Sequence, residues 1–144
     1  MRQYVESIVE TLLDLFGAPR ACGIISLAYR NIATLYFSLW LKELGIAGKD
    51  ATSLTRFFEI VETFNEEKVE VVSESSSKFV MRKTSNKLFQ GLKVPSEVIR
   101  GMFEFKIMCA RMLNARVKVR LTKLLSEGDS CDEWTIEDVK ERLF

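Results

Sequence analysis

Arg30 is the one formal charge between Ala21 and Leu41. Ser26, Arg30, Thr34 and Ser38 recur every four residues, so they form one polar row on an otherwise apolar helix. A guanidinium placed there can grip a ligand carboxylate with two parallel hydrogen bonds. The row therefore reads as an anion-binding stripe. The same charge can instead be neutralised by an acidic residue such as Glu59 or Glu62, or carried to the domain edge on its flexible stem.

Tyr36, Phe37 and Trp40 in that segment, with Phe103, Phe105, Met108 and Met112 further on, can line an apolar cavity. Methionine side chains adapt to varied ligands. At helical spacing the same residues also make ordinary core. The candidate ligand-binding set is thus Arg30, Ser26, Thr34, Tyr36, Phe105, Met108 and Met112, and it suits a small apolar or carboxylate-bearing molecule.

Other chemistry is thin. There is no histidine, which removes His-ligated haem, His metal sites and every Ser-His or Cys-His pair. No Walker loop, dinucleotide-binding glycine turn, His-Glu metal motif or Gly-x-Ser-x-Gly elbow occurs. Cys22, Cys109 and Cys131 are too far apart for a zinc knuckle, and their odd number argues against a disulfide framework. Asp129, Asp132 and Glu133 surround Cys131 with negative charge, which disfavours a reactive thiolate. Those carboxylates do not have the spacing of a calcium loop. We expect no cofactor, no metal and no catalytic residue.

Arg111, Arg116, Lys118, Arg120 and Lys123 are the densest basic cluster. Lys plus Arg is 21 against 20 for Asp plus Glu, a net charge of +1. That is no general footprint for nucleic acid, so a solvated strand face is expected instead. Arg30 also counts against a membrane span over 21–41, where a central charge costs about 2.5–3.5 kcal/mol. The opening segment, with Glu6, Glu10 and Asp14, lacks the pattern of a signal peptide. A cytoplasmic protein with three thiols is expected.

These side chains need elements to hold them. Tyr4, Val5, Ile8, Val9, Leu12, Leu13 and Phe16 have helical spacing, which Gly17-Ala18-Pro19 ends. A long apolar helix follows over 20–44 and stops at Gly45. Thr52 or Ser53 is expected to cap a third helix through Phe64, with Leu54, Phe57, Phe58 and Val61 inward. Strand-like runs from Lys68 to Ser73 and Lys78 to Thr84 flank Ser75-Ser76-Ser77 and predict a hairpin. Pairing Glu74 with Lys78 also pairs Val72 with Val80 and Glu70 with Arg82. It puts Val69, Val71, Phe79 and Met81 on one buried face. Residues 85–94 read as a loop. Ser96 is expected to cap a fourth helix that ends at Asn114, with Val98, Met102, Phe105, Ile107, Met108 and Met112 on its apolar side. Val117 to Leu121 alternates as a half-buried strand. Ser126 to Ser130 turns the chain, and Cys131 to Ile136 returns with Trp134 and Ile136 on one side. Residues 137–144 are expected to add a helical turn.

The order ααα-ββ-α-ββ predicts an α+β fold: an antiparallel sheet of about four strands from two hairpins, packed with four or more helices. A chain of 144 residues with 47% apolar content can build one core, so a single domain over 1–144 is expected.

The stretch from Glu127 to Ile136 resembles the ending of the 4-vinyl reductase domain family. Gly128, Asp129, Cys131 and Trp134 match in kind, with the aromatic displaced by one residue. The family shares its fold with subunits of the TRAPP transport particle, with haem nitric-oxide sensor domains and with aminothiazoline carboxylate hydrolase-like proteins. Without histidine a sensor's proximal ligand does not carry over. The hydrolase-like relatives have a Cys-Pro after the first hairpin, where this chain has Arg82-Lys83-Thr84-Ser85-Asn86. The resemblance implies an apolar cavity between helices and sheet in a dimerising or small-molecule-binding module. The leading expectation is a non-catalytic binding or sensing homodimer that takes neither nucleic acid nor membrane as partner. The alternatives are a hydrolase-like enzyme and a protein–protein scaffold like the transport-particle subunits.

Overall fold

The computed structural model describes residues 2–86 and 94–140. The elements run α1 (Arg2–Phe16), α2 (Ala18–Glu43), α3 (Ala51–Phe64), β1 (Glu70–Ser75), β2 (Lys78–Lys83), α4 (Ser96–Leu113), β3 (Val117–Lys123) and β4 (Asp132–Asp138), with one 3-10 turn at Leu125–Glu127 before β4. This is the expected α+β order, and the four strands form one antiparallel sheet ordered β1-β2-β4-β3. The two hairpins therefore join through β2 and β4, which leaves β1 and β3 as edges.

Local chemistry explains the boundaries. α2 ends where Gly45 takes a left-handed conformation, φ 69°. The Gly45 N–H then reaches the Lys42 carbonyl and the Ile46 N–H the Leu41 carbonyl, which satisfies two orphan acceptors of the last turn. α3 is capped by Asp50, not by Thr52 or Ser53. The Asp50 carboxylate accepts from the Ser53 N–H at 2.9 Å, a charge at the helix N-terminus being a stronger acceptor than a hydroxyl. Ser96 is the first residue of α4 and not its cap, because its hydroxyl donates outward to Glu127 at 2.8 Å.

The first hairpin keeps the expected register at Glu70↔Arg82 and Val72↔Val80. A bulge between Ser73 and Ser75 then shifts Lys78 opposite Ser75. Glu74 and Lys78 still form an ion pair at 3.1 Å. β1 begins at Glu70, later than expected, and reaches Ser75. Glu137 and Asp138 continue β4 in place of a helical turn, and residues 141–144 lie outside the described residues. Of the loop expected over 85–94, residues 87–93 also lie outside them.

One sheet face is apolar. Met81, Val117, Trp134 and Ile136 are buried there, with Val69, Val71, Phe79, Val119 and Leu121 packed around them. α3 and α4 cover this face, and α2 crosses α4 above it. Phe37 of α2 meets Phe57 of α3 edge-on at 4.9 Å, and Phe57 lies 6.5 Å from Phe105 of α4. Fully burying a side chain of this size contributes about 1.5–3 kcal/mol, so these rings anchor the layers. α1 adds a second, smaller cluster in which Val9 meets Ile25 of α2 and Val98 of α4.

Candidate functional site

The outer surface of the helical layer carries the most unusual chemistry. On α2, Ile24, Leu27, Leu35 and Leu39 fall on one face at spacings of three, four and eight residues, and all are exposed, Leu35 at 70%. On α1, Tyr4, Ile8 and Leu15 form a similar row, with Tyr4 exposed at 73%. Both rows follow from sequence. These helices have apolar residues on more than one side, and the core can take only one side.

The predicted ligand-binding residues are spread across this architecture. Arg30 is on the flank of α2 that faces α4, where its Nε donates to Glu104 at 3.1 Å. Its partner is thus neither Glu59 nor Glu62. Ser26 lies at the α2–α4 crossing, where a Cβ on Gly101 would stand 2.8 Å from its Oγ. Thr34 donates back to the Arg30 carbonyl at 2.9 Å, and its side chain is exposed. Tyr36 is exposed and stacks on Trp40, ring centres 5.5 Å apart. Phe105 belongs to the main core, Met108 packs against it, and Met112 is exposed at the end of α4. The structure therefore brings Phe105 and Met108 together around the core. It places Arg30, Ser26 and Thr34 along the α2 flank, and Tyr36 and Met112 at the surface.

A cleft of about 420 Å³ lies elsewhere, between α1 and the approach to α4. Glu6, Val9, Glu10, Leu13, Asp14, Val94 and Pro95 line it, and none of the seven candidates does.

Sequence reasoning missed a buried charge cluster. Glu62 of α3 accepts from Lys106 of α4 at 2.9 Å and from Lys83 of β2 at 3.1 Å. The Lys106 ammonium also lies 4.8 Å from the Trp134 ring centre and 5.7 Å from both Phe58 and Phe103. Burial opposes the charged form of Glu62, but the two ammonium groups outweigh it and hold its pKa at about 2. The signal was present: Glu62 continues the row Leu54–Phe58 on α3, and Lys106 interrupts the apolar side of α4. An ionisable group on a core-facing row implies a buried partner. Burial raises the Tyr29 hydroxyl to about 12, and it raises the Cys109 thiol to about 12 against the opposing charge of Lys106. Cys131 is buried and Cys22 half-buried, its thiol donating to the Glu97 carbonyl at 3.0 Å.

The face of the sheet away from the helices alternates in charge from strand to strand. Glu70 of β1 stands opposite Arg82 of β2, which bonds Glu133 of β4 at 2.6 Å. Glu133 also lies 3.9 Å from Lys123 of β3. Lys78 of β2 and Lys118 of β3 both stand opposite Glu137. Lys118 and Arg120 of the basic cluster are exposed members of this pattern, opposite the apolar side of β3.

No helix among the described residues is long and apolar enough to cross a membrane. No group of three or more Cys, Asp or Glu among them is arranged to hold a metal ion.

No known family model matches the sequence, and no curated protein is detectably similar to it. Among solved structures the fold matches subunit 3 of the trafficking protein particle complex from Naegleria fowleri, a structure covalently bound to palmitic acid. The TM-score is 0.54 at 13% identity, over 99% of this chain and 93% of that chain. The chain thus has the fold of a transport-particle subunit, one of the folds that the C-terminal resemblance implied.

Proposed function

We propose that this chain is a non-catalytic assembly module, one domain over residues 1–144, that pairs with a second copy of itself through the exposed rows of α1 and α2. The observation that carries the reading is the row Ile24, Leu27, Leu35 and Leu39, apolar and exposed together. A surface of that kind is costly in water and is normally covered by a partner. A second copy suits it because the α2 row contains no charge, so the same face can meet itself across a two-fold axis. The transport-particle fold supports the reading, and such a module would work in the cytoplasm.

Sedimentation velocity tests it. The wild-type chain is expected to sediment as a dimer at micromolar concentration. The double variant Leu35→Glu, Leu39→Glu should sediment as a monomer with an unchanged circular-dichroism spectrum. A monomeric wild type, or a dimer that survives both substitutions, overturns the reading.

A second reading is favoured by the palmitic acid bound in the Naegleria structure. On this reading the chain is a small-molecule-binding module like the 4-vinyl reductase domains. Arg30 supplies the polar end of the site, since Glu104 takes only its Nε. Ser26 and Thr34 extend that end, and Tyr36, Phe105, Met108 and Met112 extend the apolar side. Native and denaturing mass spectrometry separate the two readings. A retained mass lost by Arg30→Ala supports the second, and a ligand-free dimer removes it.

A further inference from the structure

We propose that the outer edge of β3 accepts an extended acidic peptide as a fifth strand of the sheet. The backbone of β3 determines which groups are available. The Val139 N–H donates to the Arg116 carbonyl at 2.8 Å. Hydrogen-bonding direction alternates along a strand, so as far as the bulge between Leu121 and Lys123 the residues Lys118 and Arg120 also bond β4, while Val119 and Leu121 point their N–H and C=O groups away from it. β3 ends the sheet, and among the described residues no backbone group bonds those of Val119 or Leu121. A peptide strand can meet them by β-augmentation.

Charge states which peptide. The outer face runs acidic, basic, acidic, basic across β1, β2, β4 and β3, through Glu70, Arg82, Glu133 and Lys123, and again through Glu74, Lys78, Glu137 and Lys118. The next strand in that series is acidic. Lys118 and Arg120 are exposed, and neither makes an ion pair among the described residues. Acidic residues at alternate peptide positions would stand beside both. Basic edges also repel one another, so two copies of β3 do not pair. The acidic β1 of a second copy fits less well. Val72 separates Glu70 from Glu74, so one register supplies only one carboxylate to the pair Lys118 and Arg120, and the bulge at Ser73 breaks its ladder.

The test is fluorescence anisotropy with two labelled peptides, one alternating Thr with Glu and the other Thr with Lys. The Glu peptide is expected to bind the wild type, more tightly at low salt, and the Lys peptide not to bind. Val119→Pro removes an N–H that the fold does not use and should abolish binding, with circular dichroism checking that the strand persists. Arg120→Glu faces the neutral Thr135, so it tests the charge without breaking an ion pair, and it should weaken binding at least tenfold. Equal binding of both peptides, no binding of either, or binding untouched by Arg120→Glu overturns the proposal. Open-ended self-association of the protein alone, suppressed by Arg120→Glu, also overturns it and makes a second copy the occupant.

Discussion

The Lys106 ammonium donates to Glu62 at 2.9 Å while lying 4.8 Å from the centre of the Trp134 ring. One side chain thereby ties α4 to α3 and to β4. Lys83 closes the arrangement from β2. The carboxylate is buried, so it is stable as a charge only while both lysines remain in place.

Acid should therefore weaken the fold through Glu62. Its pKa is about 2 in the folded chain against 4.5 as a free side chain. A depressed carboxylate contributes stability above its unfolded value and loses it as pH falls through the folded value. The window runs from about pH 4.5 down to about pH 2, and a shift of this size corresponds to about 3 kcal/mol. Urea unfolding across that range should show the loss. Glu62→Gln should cost about 3–5 kcal/mol at pH 7 and flatten the acid limb. An acid limb unchanged by the substitution would assign the effect to other carboxylates.

Gly101 should resist enlargement. A Cβ there would meet Ser26 Oγ at 2.8 Å and the Cys22 carbonyl oxygen at 3.3 Å. The hydroxyl can rotate away, but the carbonyl belongs to the α2 backbone. Gly101→Val should cost about 1–3 kcal/mol by overpacking, and Ser26→Ala should not rescue it. Thermal unfolding of the single and double variants checks this.

Glu66 should tolerate change in the opposite sense. It has φ 60° just past α3, where its N–H bonds the Thr63 carbonyl and the Glu67 N–H bonds the Glu62 carbonyl. A left-handed residue with a Cβ costs about 1–2 kcal/mol. Glu66→Gly should raise stability by about 1 kcal/mol, measured by the urea midpoint. A lowered midpoint would mean that the Glu66 side chain contributes more than the backbone strain costs.

Cys109 should be inert. It is fully buried and its thiol is pushed up to about 12. A thiol reagent at pH 8 should leave it unmodified in the folded chain and label it in guanidinium, as peptide mapping would show. Rapid native labelling at Cys109 would contradict the packing of α4 on the sheet.

Much of the fold was legible because apolar period reports which side of an element is buried. Val69, Val71, Phe79 and Met81 were assigned to the inner sheet face by alternation alone, as were Trp134 and Ile136. Caps were harder. Asp50, Thr52 and Ser53 are all eligible as N-caps by type, and Asp50 takes the role because its carboxylate reaches the Ser53 N–H. Ser96 looks like a cap by type, yet Glu127, thirty-one residues away, takes its hydroxyl.

The candidate site was less legible for the same reason. Arg30, Thr34 and Tyr36 share one helix, and Thr34 and Tyr36 meet partners on it, but the partner of Arg30 comes from another helix. Glu104 is seventy-four residues from Arg30, and no local period announces that meeting.

The sequence by itself determined the order of the elements, the inner and outer faces of each strand, and the excess of apolar surface on α2. These are properties of successive residues, fixed by a repeat of two or of 3.6. Only the tertiary structure decided which side of α2 faces α4 and which stays uncovered, that Glu62 meets Lys83 and Lys106, and that β3 ends the sheet. Those outcomes depend on how rigid elements distant in the chain fit against each other, and close packing selects among arrangements that a single helix or strand leaves equally open.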